Sequence, residues 1–86
     1  MVKVRICILT PDASSRGGYI EEFADGIEMS AVPRIGEEIS YALTDETRLS
    51  RETRNRVGAG KWIFKVKNVR WDFQDPDVVD VFLLRD

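Results

Sequence analysis

Apolar side chains recur at every second position from the start of the chain. In "VKVRICILT", residues 2 to 10, Val2, Val4, Ile6 and Ile8 share one parity, and Lys3, Arg5, Cys7 and Leu9 take the other. A period of two is that of a β-strand with one face on a core. Pro11, which has no amide to give a ladder, marks its end. "PDASSRGGY" then reads as a loop, loosened by Ser14, Ser15, Gly17 and Gly18. Next comes "YIEEFADGIEMSAVP", where Asp25-Gly26 predicts a tight hairpin turn between strands at 19–24 and 27–32. Ile27, Met29 and Ala31 line one face of the second of these.

Residues 34 to 43 alternate again. Ile35, Ile39, Tyr41 and Leu43 stand against Gly36, Glu38, Ser40 and Ala42, with Glu37 the one break in the apolar face and Pro33 resetting the chain before it. In "KWIFKVKNVRWDF", residues 61 to 73, Trp62, Phe64 and Val66 share one parity, while Val69, Trp71 and Phe73 share the other. A β-bulge across Lys67-Asn68 would return both sets to one face and bend the strand. Asp75-Pro76-Asp77 is a turn-forming cluster. In the final run, 77–85, Val79, Val81 and Leu83 form one face and Val78, Phe82 and Leu84 most of the other, so this strand is covered on both sides.

Five or six strands with short connections and one longer insertion predict a mainly β fold. The expected form is a small antiparallel barrel or roll of SH3-like or OB-like kind, with room for one short helix in the 44–60 insertion. A bent central strand suits closure, and the first strand is expected beside the last ones. Pro33-x-x-Gly36-Glu37 opening a strand, an insertion, then an aromatic and an aliphatic strand is similar to small barrels in general pattern only. The 86 residues form one domain, 1–86, too short for two cores.

The insertion changes the picture more than composition does. "TRLSRETRNRVGAGKW" holds Arg48, Arg51, Arg54, Arg56 and Lys61 against Glu52. Its balance of +4 within a chain of −2 leaves −6 elsewhere. For a helix here, Thr44 would cap, Asp45 and Glu46 would suit the positive end, and Arg54 and Arg56 the negative end. Gly58 would stop it, and only Leu49 and Val57 would pin it. Helix and mobile loop stand as alternatives. Arginine suits bidentate contact with carboxylates and phosphates, so these five cations are the candidate binding residues. Their partner is an acidic protein surface or, alternatively, nucleic acid, with Trp62, Phe64, Trp71 and Phe73 available for stacking if exposed. A pI of about 5.1 weighs against a phosphate backbone. The plain alternative is a solvated insertion paired with Asp45, Glu46 and Glu52.

Other chemistry is thin. There is no histidine, and "GAGKW" is not a phosphate loop. Glu37 and Glu38, as strand neighbours, face opposite ways. Asp72, Asp75, Asp77 and Asp80 have oxygen ligands but not the spacing of a calcium loop, and read as a solvated turn. Cys7, the single cysteine, reads as a small core hydrophobe. The expectation is a non-enzymatic binding module, an adaptor, regulator or inhibitor, without metal or cofactor. No membrane span or signal segment is evident in the N-terminal run, so the expected location is the cytoplasm. A second alternative is self-association, the basic insertion of one copy meeting the acidic turn of another.

Overall fold

The computed structural model describes residues 1–14, 17–44 and 46–85; Ser15 and Asp45, which figured in the loop and helix readings above, lie outside them. Five strands and one short helix follow one another: β1 (Val2–Pro11), β2 (Tyr19–Met29), β3 (Glu38–Leu43), α1 (Arg51–Val57), β4 (Gly60–Trp71) and β5 (Val78–Arg85). They form one sheet in the order β2-β1-β5-β4-β3. The sheet curls into a half-barrel, so the expected small β roll with a short helix is present. The sheet is mixed rather than antiparallel throughout as expected: three neighbour pairs are antiparallel and β1–β5 is parallel. The chain between β1 and β5 contains three other strands and the helix, a crossover long enough to permit parallel pairing.

The concave face carries the main core. Val4, Ile6 and Ile8 of β1, Phe64 and Val66 of β4, and Val79, Val81 and Leu83 of β5 are all buried there. Leu43, Leu49 and Val57 join them from β3, the α1 approach and α1 itself. On the convex face, Cys7, Leu9 and Phe82 form a second, smaller core with Tyr19 and Leu84 against it. β5 is the central strand, flanked by β1 and β4, and both parities of it are mostly apolar. β1, expected to be buried on one face, is covered on both over residues 6–9, where Cys7 and Leu9 join the second core.

Two bulges shape the curl. On β4, Val66 pairs with Leu83 and Asn68 with Phe82, so Lys67 is the extra residue. The expected bulge is present, and it returns Val69 to the core that Phe64 and Val66 occupy. The second bulge replaces the expected hairpin. Arg5 pairs with Gly26 and Cys7 with Phe23, so Ala24 and Asp25 together oppose Ile6. β2 therefore runs unbroken through Asp25-Gly26 and no turn forms there. Gly26 is not held there by a positive φ, and a Cβ on it would meet only Cε of Lys3, at 2.9 Å, the far end of a flexible side chain. Aspartate and glycine suit a bulge as well as a turn, and β1 alongside decides between them.

β3 is shorter than its alternation implies. Arg34 to Glu37 form a turn, with Gly36 at φ +91 and the Glu37 amide bonded to the Arg34 carbonyl at 3.1 Å. Ile35 is left exposed at the turn rather than on the apolar face. At the far end of β4, Trp71 and Phe73 are exposed too, so of the aromatics proposed for stacking only Phe64 is fully buried and Trp62 partly so.

The two free edges, β2 and β3, approach each other across the concave side. The Tyr41 hydroxyl donates to Asp25 Oδ2 at 2.6 Å, joining one edge to the other. Its ring meets Phe64 edge-on at 6.4 Å.

Candidate functional site

The cationic insertion is an ordered helix flanked by fixed ends. Ser50 caps α1, its hydroxyl accepting from the Thr53 amide at 3.2 Å. Thr44, the expected cap, instead closes a turn with Thr47. The carboxylate of Glu22, reaching from β2, accepts from the Ser50 amide, the Ser50 hydroxyl at 3.0 Å and the Thr53 hydroxyl. Burial alone would push the Glu22 carboxyl up; these donors outweigh it and hold it below its ordinary range.

The other end is held as firmly. Gly58, at φ +93, returns its amide to the Arg54 carbonyl at 2.8 Å. The Trp62 indole donates to the Gly58 carbonyl at 2.7 Å. Arg85 of β5 lies 3.5 Å above the Trp62 ring and donates to the Val57 carbonyl. An added Cβ on Gly58 would press on the Trp62 ring at 3.2 Å, so this stop must be glycine.

Between these ends the helix divides by character. Thr53 and Val57, with Leu49 just before, are buried; Arg48 and Arg51 are exposed. Arg56 is committed within the chain, 2.7 Å from Glu52 and 3.8 Å from Asp12. Arg54 is half-buried and, with Arg51, lines an open cleft of about 510 Å³ whose other walls are Leu43, Thr44, Asn55, Gly58 and Ala59. Lys61, one strand position into β4, is exposed beside Ala42. The structure thus brings Arg51 and Arg54 together, with Arg48 and Lys61 on the same end of the molecule. Arg56 is set apart by its own acids.

The acidic cluster does not act as one unit. Asp72, Asp75 and Asp77 are exposed in the β4–β5 connection, at the opposite end of β4 from α1. Asp80 corrects the solvated-turn reading, because it is buried on the convex face between two arginines. Arg5 makes a two-pronged contact to it at 2.7 and 3.0 Å, and Arg70 adds a third bond at 3.0 Å. Arg5 also lies 4.8 Å over the Phe23 ring and Arg70 4.9 Å over Phe82. Burial would raise the Asp80 carboxyl, but the bonds from Arg5 and Arg70 lower it below its ordinary value. Among the described residues no group of carboxylates, cysteine or histidine is placed to hold a metal ion.

Sequence reading missed Glu22, Arg85 and the Arg5–Asp80–Arg70 cluster, because each depends on a partner more than twenty positions away or on a neighbouring strand. Cys7 is buried and its thiol is pushed up to about 11, chiefly by burial, as an inert core residue requires.

A second hollow lies where α1 does not cover the concave face. It measures about 570 Å³ and is mostly apolar. Val4, Ile6, Val81 and Leu83 form its floor, Ile27 and Met29 one wall, and Ile39 and Tyr41 the other. No described helix is long and apolar enough to cross a membrane. Compared with family models, curated proteins and solved structures, the chain matches none.

Proposed function

We propose that the protein is a non-enzymatic binding module that engages an acidic protein surface through the cationic end of the roll. The observation that carries this reading is the division of α1. Thr53 and Val57 on it, with Leu49 just before it, are buried and supply the packing, while Arg51 on its first turn and Arg48 before the cap are exposed. Both ends of the helix are tied to β2, β4 and β5, so its backbone is already fixed and binding orders only the side chains. Arg54 and Lys61 extend the same electropositive end, and the cleft beside Arg51 and Arg54 has room for a carboxylate side chain. Arg56 serves the fold through Glu52 and Asp12. An adaptor, regulator or inhibitor of a larger assembly fits this arrangement.

The competing nucleic-acid reading would use the same arginines. It is disfavoured by the position of Trp71 and Phe73 at the far end of β4, where they cannot stack bases held by α1. The test uses two anionic probes at low salt, fluorescent polyglutamate and a duplex oligonucleotide, against the native protein and an Arg48→Ala, Arg51→Ala, Lys61→Ala variant. Expected are polyglutamate binding to the native protein, loss of about tenfold or more in the variant, and an unchanged melting temperature. Stronger binding of the oligonucleotide, or no binding of either probe, overturns the proposal.

A further inference from the structure

The half-barrel has two unpaired strand edges facing each other across an apolar floor. Strand geometry tells which amides point into that gap. The Gly36 amide bonds to the Val66 carbonyl at 2.9 Å and the Val66 amide to the Glu37 carbonyl at 2.9 Å. Val66, Phe64 and Trp62 therefore turn their amides toward β3, where they meet Ile39 and Tyr41. The backbone groups of Glu38, Ser40 and Ala42 point the other way, off the free edge. On β1, the Lys3 amide faces β5 by bonding to the Asp77 carbonyl, so Val2 and Val4 face β2 and pair with Met29 and Ile27. Gly26 and Glu28 then direct their backbone groups off the free edge of β2. Both walls of the gap offer a row of ladder positions that no described strand occupies.

The Tyr41–Asp25 hydrogen bond ties the two walls together, and Ala31, Val32, Pro33 and Arg34 line the same hollow. An extended segment can pair with the outward-facing backbone groups of either edge, which a small apolar molecule cannot do. The rim has a sign as well: Glu37 and Glu38 line it against Arg34, and the Glu37 carboxylate is turned onto the Arg34 amide.

We infer that this gap binds an extended peptide segment of a partner protein by strand addition. The segment would have about four alternating residues, apolar side chains toward Val4, Ile6, Val81 and Leu83, and a lysine or arginine facing the acidic rim. Main-chain bonds to Ser40 and Glu38 supply the affinity and the hollow supplies the choice of side chain. This surface is separate from the cationic end, so its failure would leave that reading standing.

A random heptapeptide library selected on the immobilised protein tests the idea. Expected enrichment is for alternating apolar positions flanked by Lys or Arg. In hydrogen exchange, the best peptide should protect the Glu38, Ser40 and Ala42 amides. Ser40→Pro removes an outward-facing amide that β4 does not use, so the fold is expected to survive. Peptide binding should weaken about tenfold. Ile27→Glu, on the opposite wall and independent of β3, should weaken binding to a similar extent. The proposal is overturned if no alternating motif is enriched, if the bound peptide leaves those amides exchanging as before, or if both folded variants bind it as tightly as the native protein does.

Discussion

At Asp80, the charge that looks most ordinary in the sequence is the one most deeply placed in the structure. Its carboxylate is almost fully covered, while the two arginines that hold it are about half exposed. Breaking a fully buried pair costs about 3–5 kcal/mol, and half-exposed partners screen part of that. Asp80→Asn is therefore expected to cost about 2 kcal/mol, or about 10 °C in melting temperature for a chain of this size. Because the folded carboxyl lies below its ordinary value, the stabilisation is present above about pH 4 and is lost as pH falls through the folded value. Melting curves of the native protein and Asp80→Asn from pH 7 down to 2.5 should converge in acid. A constant difference would mean that the charge is not the source. The strand pattern placed Asp80 between Val78 and Phe82 on a face expected to be covered, but its partners, on β1 and β4, were not legible.

β4 shows what a strand's own pattern can and cannot reveal. The switch of parity at Lys67-Asn68 located the bulge correctly, because a one-residue slip moves every later side chain to the other face. Inserting one alanine after Lys67 should therefore turn Val69 out of the core and set Asn68 onto it. The expected loss is above about 3 kcal/mol in urea denaturation, against less than about 0.5 kcal/mol for Lys67→Ala. Equal effects of the two changes would deny the bulge its role. β2 contains the same device, but there the sequence pointed to a turn. Asp25-Gly26 satisfies both, and only the ten-residue β1 beside it keeps the strand running. In α1, Leu49, Val57 and the Gly58 stop were readable from spacing. The cap at Ser50 was not, since Thr44 met the same chemical requirement and Glu22 made the choice from across the molecule.

Among the links between elements that are not sheet neighbours, Tyr41 to Asp25 and Glu22 to Ser50 and Thr53 tie the β2 edge across the roll. Tyr41→Phe with Glu22→Gln should release the β2 edge and α1 while leaving β1, β4 and β5 paired. Hydrogen exchange is expected to quicken in β2 and α1 first, with a total loss of about 2 kcal/mol, one for each link. A uniform change along the chain would show that the curl is carried by the core alone. The charge arrangement is also a property of the whole. Basic groups gather at the α1 end and Asp72, Asp75 and Asp77 at the opposite end of β4, a polarity that the linear order suggested.

Periodicity by itself determined that the chain would be a small β roll, that its last strand is covered on both faces, where β4 bends, and which segment gathers cations. Those features depend on neighbours within a few positions, and short-range spacing records them. Tertiary structure alone decided which way Asp25-Gly26 would go, which arginines serve the fold and which face outward, and that two strand edges would be left facing one another. Each of those depends on a partner from another strand or from the helix, and a linear pattern carries the residues of such a pair without saying that they meet.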